Sequence, residues 1–154
     1  MGALTADARR VVDEQRLCFV ATVNDDGTPN LSPKGTIAVL DHDHLVFGDI
    51  RSPQTLANVR QRPTMEINIV DPISRKGYRF RGQATVVDGG EQYDRFVALC
   101  RERGTTNPMR EIVVIAVERA EPLVSPAYDT GGVESEIRAK WRTHHADLDA
   151  ARTQ

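Results

Sequence analysis

LCFVATVNDDGTPNLSPKGTIAVLDHDHLVFGD, residues 17–49, is the stretch of sequence that decides the fold. Residues 17–24 form an apolar run with several β-branched side chains, which predicts a strand. The following D-D-G sequence predicts a tight turn in which Gly27 supplies a positive φ. Residues 30–39 predict a second strand, and residues 45–49 predict a third after a polar D-H-D-H turn. Strands joined by such short turns run antiparallel.

Helical patterns flank these strands. Thr5 is an N-cap residue for a first helix that ends near residue 15. Ser52 followed by Pro53 is a specific helix start signal. So many strands in a small domain favour a closed antiparallel barrel, and the helices are too few for an alternating βαβ fold. The remaining predicted elements are strands at 65–71, 78–88 and 111–118 and helices at 91–104 and 136–152.

Length, charge and cysteine content limit the class of protein. The 154 residues fit a single domain, 1–154, with a tail or helix at 125–154. A formal net charge of -2 argues against a general nucleic-acid binder. Cys18 and Cys100 lie in apolar runs and predict buried thiols rather than a metal or redox motif. No signal peptide and no membrane-spanning run is evident, so we expect a cytoplasmic protein.

Three groups of residues could carry binding chemistry. The first is the predicted helix start at residues 49–55, because a helix N-terminus presents free N–H groups and a partial positive charge to a phosphate. Ser52 and Thr55 add hydroxyl groups there, and Arg51 adds a guanidinium. The alternative is a plain serine cap beside an exposed arginine.

The second and third groups lie on strands. Ser32, Lys34 and Thr36 are spaced by two and therefore share one face of the second strand. Pro33 and Gly35 interrupt that strand, which indicates an edge, a bulge or a close approach to a ligand; the alternative is a solvent-exposed edge. The third group is the basic run SRKGYRFRG at residues 74–82, which either holds an anion or is a solvated face.

The ordered motifs carry a resemblance to a known family. D-G-T-P at the first turn, S-P-K-G in the second strand, D-I-R-S-P-Q-T at the helix start and S-R-K-G-Y-R-F after it resemble the pyridoxamine 5′-phosphate oxidase-like flavoproteins. The resemblance covers roughly residues 5–120. Each motif alone is common, and their order makes the set specific. The resemblance implies a mainly β fold with flanking helices, namely an antiparallel, Greek-key FMN-binding split β-barrel.

The resemblance also implies a homodimer with two FMN sites at its interface. The residues that it places at the cofactor come from the second strand and from the helix start: Ser32, Lys34, Thr36, Asp49, Ile50, Arg51, Ser52, Gln54 and Thr55. Further candidates are Lys76 and Arg79 on the basic strand and Trp141 in the tail. Gln54 and Thr55 stand where true oxidases have an Arg-Lys pair on the FMN phosphate, so Lys34, Arg51 and the helix dipole must supply the positive charge.

The function indicated is that of an FMN-binding protein and FMN-dependent oxidoreductase that acts on an unassigned small-molecule redox substrate. The chain lacks the C-terminal Arg and His elements by which true oxidases hold pyridoxal phosphate, so oxidation of vitamin B6 is not expected. No catalytic residue and no metal site is predicted. The alternatives are a split barrel that binds a deazaflavin coenzyme or haem, and a cofactor-free binding module. The expected partners are a second copy of the chain and a small-molecule redox substrate. Neither a nucleic acid nor a membrane is expected as a partner.

The strands themselves also suggest a dimer. Residues 112–117 are continuously apolar, and residues 65–70 alternate only in part. A chain with few helices has little to cover the second face of such strands. We therefore expect a partner chain to cover them, through an apolar interface above about 2,000 Å².

Overall fold

The computed structural model of the chain describes residues 2–153. Four α-helices and seven strands alternate irregularly along this part of the chain. In chain order they are α1 (Ala6–Gln15), β1 (Cys18–Val23), β2 (Pro29–Lys34), β3 (Ala38–Val39), β4 (His44–Gly48), α2 (Pro53–Gln61), β5 (Thr64–Asp71), β6 (Lys76–Val87), α3 (Glu91–Glu102), β7 (Ile112–Val124) and α4 (Glu134–Arg152).

The seven strands form one antiparallel sheet in the order β2-β1-β5-β6-β7-β4-β3. β2 and β3 occupy its two opposite edges, although only three residues separate them in the chain. Four residue steps span at most about 14 Å, so the two edges must come close together. The sheet is therefore curved into the half-barrel of a split-barrel fold, with the helices on its flanks.

The prediction of a single strand over residues 30–39 is wrong. Residues 29–34 pair with β1, whereas residues 38–39 pair with β4 at the other edge of the sheet. The chain leaves one edge at Gly35 and joins the other edge at Ala38. Gly35 lies in this crossing between the edges, whereas Pro33 lies within β2, which is an edge strand as a proline in a strand indicates.

Local sequence signals account for most of the other elements. The Thr5 hydroxyl accepts a hydrogen bond from the Ala8 N–H at 3.1 Å and caps α1. β5 buries Met65, Ile67 and Ile69 on one side of the sheet, as its period of two requires. The D-D-G turn between β1 and β2 has Gly27 at φ +82°.

Two apolar clusters hold the fold together. The larger one fills the half-barrel. It includes Val12 of α1, Leu56 of α2 and Phe80 of β6. The smaller one lies between α3 and the sheet and contains Phe96, Cys100, Ile112 and Val114.

This second cluster corrects the argument that a partner chain must cover β7. Val113 and Ile115 face the larger cluster, while Ile112 and Val114 pack beneath α3. Both faces of β7 over residues 112–115 are thus buried within one chain. The large exposed apolar side chains lie outside this segment, on β1 and β2, at the ends of β5 and β7, at Ile50 and in the tail.

The tail consists of a short 3₁₀ turn (Pro126–Tyr128) and α4, which has 19 residues and no buried side chain. Arg138 connects this helix to the end of β5 by an ion pair with Asp71 at 3.1 Å. Within residues 2–153, none of the helices is both long enough and apolar enough to span a membrane.

Candidate functional site

A groove of about 570 Å³ opens where the barrel closes, between β2, the end of β4, the start of α2 and the loop after α3. Most of the residues that line it are small, polar or cationic. The lining residues are Ser32, Pro33, Lys34, Gly35, Thr36, Gly48, Ile50, Arg51, Ser52, Gly104, Thr105, Thr106 and Asn107. The volume lies within the range of about 300–1,000 Å³ that is usual for small-molecule sites.

Lys34 is the chemically distinctive residue of the groove. Its side chain is buried, with 4% exposure, yet among residues 2–153 the ammonium donates only to two hydroxyl groups, Ser32 Oγ at 2.7 Å and Ser52 Oγ. Burial lowers the pKa of Lys34, and the Asp49 carboxylate opposes this shift. A cation held by neutral hydroxyls rather than by a carboxylate keeps its charge available to an anion from outside the chain.

Arg51 supplies a second positive charge at the rim, where it is exposed. Neither Lys34 nor Arg51 takes part in an ion pair within residues 2–153. The groove therefore combines one buried and one exposed cation, which is an electrostatic arrangement that favours an anionic ligand.

The start of α2 adds peptide donors beside these cations. Ser52 occupies the N-cap position, but its hydroxyl makes no cap hydrogen bond and accepts from Lys34 instead. The alternative of a plain serine cap beside an exposed arginine therefore holds for the position of Ser52 and for the exposure of Arg51, but not for the cap hydrogen bond. Asp49 Oδ1 accepts the Ser52 N–H at 2.9 Å and fixes the turn that enters the helix. Because the first N–H groups of a helix have no intrahelical acceptor, Gln54 and Thr55 offer donors there.

The other residues expected on β2 and after β4 take different positions. Thr36 lines the groove, and its hydroxyl accepts the Gly48 N–H at 2.9 Å, which connects the crossing segment to β4. Ile50 also lines the groove and is 44% exposed. Asp49 does not line it and acts through its bond to Ser52.

The side chains of Gln54 and Thr55 point away from the groove. The Gln54 amide donates to Asn58 Oδ1 at 2.8 Å. Thr55 is 1% exposed, and its hydroxyl accepts from Asn30 Nδ2 at 3.4 Å. At these two positions the backbone, rather than the side chain, is available to a ligand.

Lys76, Arg79 and Trp141 lie apart from the groove within this chain. The Lys76 ammonium pairs with Glu134 of α4 at 2.7 Å. Arg79 is exposed and donates to Asn68 Oδ1 at 3.1 Å. The guanidinium carbon of Arg75 lies 3.4 Å from the centroid of the Trp141 ring, in a cation–π contact. This contact connects α4 to the β5–β6 turn.

The loop Gly104-Thr105-Thr106-Asn107 forms another wall of the groove and is not among the site residues predicted from the sequence. Gly104 has φ +86° and turns the chain at the end of α3. A polar loop with a glycine was visible in the sequence. Its position opposite Lys34 depends on the packing of α3 on the sheet and has no local signal.

Comparison with known proteins gives the family. The pyridoxamine 5′-phosphate oxidase family model matches residues 4–123, which is most of the chain. The chain belongs to this family. The match begins just before α1 and ends one residue before the end of β7. It therefore includes the groove and residues from all seven strands. It confirms the resemblance found in the sequence motifs.

Solved structures of family members and fold relatives agree with this assignment. A tagged form of HupZ from Group A Streptococcus is 29% identical with a TM-score of 0.72, covering 79% of this chain and 95% of that chain. An FMN-binding protein from Syntrophomonas wolfei is 17% identical with a TM-score of 0.66, covering 77% and 84%. An F420 reductase is 19% identical with a TM-score of 0.62, covering 77% and 98%. The last two likenesses show the shared fold alone. No curated protein sequence matches the chain.

Proposed function

We propose that this family member binds FMN in the groove beside Lys34 and acts as an FMN-dependent oxidoreductase. The observation that carries the proposal is the buried ammonium of Lys34, whose hydrogen-bond partners in the described part of the chain are the hydroxyls of Ser32 and Ser52. Burying a cation without a carboxylate partner is unfavourable. An anionic ligand would supply the missing counter-charge.

The groove residues fit both parts of FMN. Lys34, Arg51, Ser52 and the first N–H groups of α2 would hold the phosphate, since a charged side chain and a helix N-terminus both favour an anion. Gly35, whose Cβ position would meet no atom within 4 Å, leaves room for a flat ring to approach the backbone. FMN itself supplies electron transfer when bound, and the chain's residues bind it, orient it and limit its contact with water.

The same geometry favours FMN over FAD. The described groove has one cationic anchor, formed by Lys34 and Arg51. A pyrophosphate and adenosine would need a second anion site, and the sequence contains no Rossmann glycine pattern to provide one. We therefore expect the affinity for FMN to exceed that for FAD.

A homodimer is part of the proposal, and the uncovered apolar surface of β1, β2 and β5 supports it. Leu17, Phe19, Leu31 and Val70 are 50%, 48%, 67% and 43% exposed. The first two and Val70 line an apolar groove together with Arg75. A contiguous apolar patch on a soluble chain typically marks an interface. A second copy that presents the same patch would close it by two-fold symmetry.

The proposal is tested by identifying what the natively purified protein carries. Mass spectrometry and the visible absorption spectrum should reveal FMN, and titration of the cofactor-free protein should rank FMN above FAD. The bound FMN should also oxidise a reduced nicotinamide or a comparable donor faster than the same concentration of free FMN. A deazaflavin or haem spectrum, equal binding of FAD, or an absence of flavin binding would overturn the proposal.

A further inference from the structure

An uncharged polar cluster lies beneath α2, between this helix and the β1–β2 hairpin. It consists of Thr22, Asn24, Asn30, Gln54, Thr55 and Asn58. Thr22, Thr55 and Asn58 are at most 3% exposed, which is unusual for polar side chains inside a small domain. Such a cluster stabilises a fold only when its members satisfy one another.

Asn58 is the centre of this cluster. Its Nδ2 donates to Thr22 Oγ1 at 3.0 Å and to Asn24 Oδ1 at 2.9 Å. Its Oδ1 accepts from Gln54 Nε2 at 2.8 Å. Both amide hydrogens and the carbonyl oxygen are therefore used, so the orientation of this side chain is fixed by three directional bonds.

These bonds decide how α2 is rotated on the sheet. Leu56 and Val59 attach the helix to the apolar core, but apolar contacts are non-directional and tolerate small rotations. The bonds of Asn58 connect the first turn of α2, through Gln54, to the end of β1. Asn30 continues the connection, because its amide donates to Thr22 at 3.1 Å and it lies on β2 with Lys34.

We infer that Asn58 is a positioning residue for the anion end of the cofactor site. It holds the N–H groups at the start of α2 at a fixed distance from the Lys34 ammonium, so that both can bind one phosphate. The residue itself does not line the groove. This inference rests on the proposed function, since it concerns the phosphate of FMN.

The experiment compares FMN with riboflavin, which has the same ring system and no phosphate. Asn58→Leu keeps the approximate volume and removes all three bonds. The FMN affinity should fall about tenfold, the size of one oriented bond to a charged group, while the riboflavin affinity stays nearly constant. The measured quantity is the ratio of the two dissociation constants, from flavin fluorescence titration. Thr22→Val, which removes one acceptor of Asn58, should shift the ratio in the same direction by a smaller factor.

Ile69→Val is the control, because it loosens the apolar core at β5 and removes none of the hydrogen bonds of the polar cluster. It should leave the ratio at its wild-type value. An equal loss of FMN and riboflavin affinity in Asn58→Leu, or an unchanged ratio in both cluster variants, would overturn the positioning role while leaving FMN binding intact. If the wild-type protein binds neither flavin, the proposed function fails together with the inference.

Discussion

Replacing Lys34 by methionine should change ligand affinity and stability in opposite directions. The substitution keeps the length of the side chain and removes the charge. Loss of one charged hydrogen bond costs about 1.5–3 kcal/mol. The FMN dissociation constant should therefore rise roughly 10- to 150-fold. Fluorescence titration of the cofactor-free protein measures this directly.

The same substitution should increase the stability of the cofactor-free protein. The ammonium of Lys34 is buried without a carboxylate partner, so a methionine removes a charge that the fold holds at a cost. Urea denaturation near neutral pH should give Lys34→Met a free energy of unfolding above that of the wild type.

The pH dependence follows from the direction of the pKa shift. Because burial lowers the pKa of Lys34 below its ordinary 10.5, the unfolded chain binds more protons than the folded one between the two values. Wild-type stability therefore rises with pH across that window. The stability difference between the wild type and Lys34→Met should be greatest near neutral pH and shrink towards pH 10.5.

Lys140→Met, on the exposed tail helix, is the control for removing a lysine charge. It should change neither the FMN dissociation constant nor the free energy of unfolding. The reasoning is refuted if Lys34→Met binds FMN within a factor of about two of the wild type, or if its stability difference is independent of pH.

Three further outcomes are expected. Phe19→Asp should convert the proposed dimer to a monomer in sedimentation, because it places a charge in the apolar patch; a dimer that persists would locate the interface elsewhere. Gly82→Ala should lower the free energy of unfolding by about 1–3 kcal/mol, since a Cβ there would lie 2.2 Å from the Ala116 carbonyl oxygen; a wild-type denaturation midpoint would contradict this. Trp141→Ala should weaken flavin binding by the dimer, because the ring stacks on Arg75 beside the same patch; equal effects of Trp141→Ala and Leu148→Ala would remove Trp141 from the site.

The sequence predicts the parts of the fold that depend on local signals. The Thr5 cap, the Ser52-Pro53 helix start and the alternation of β5 all have physical causes within a few residues. The crossing after Lys34 was visible only as an interruption, since no local property tells at which edge of a sheet the chain will resume pairing. The coverage of β7 by α3 likewise depends on packing between distant segments.

In the candidate site, too, local sequence signals predict which residues take part, whereas their contacts depend on the folded chain. Lys34 and Ser52 could be named from their motifs, but their hydrogen bond joins residues 18 positions apart and required the folded barrel. Gln54 and Thr55 were expected to face a ligand with their side chains. Gln54 instead donates to Asn58 along the exposed side of the helix, and Thr55 turns inward, because Asn30 is a partner that only the folded hairpin brings near.

The two edge strands also determine how far the protein can assemble. Exposed strand edges promote the open-ended pairing that leads to aggregates. Pro29 and Pro33 provide no N–H on β2, and β3 is only two residues long, so neither edge presents a long hydrogen-bonding ladder to another molecule. In the dimer proposed above, copies of the chain would associate through the apolar face of the sheet without extending it into a fibre. Pro33, which lies within β2 beside Lys34, would therefore favour a closed, finite assembly of the proposed dimer, although an apolar surface is exposed next to it.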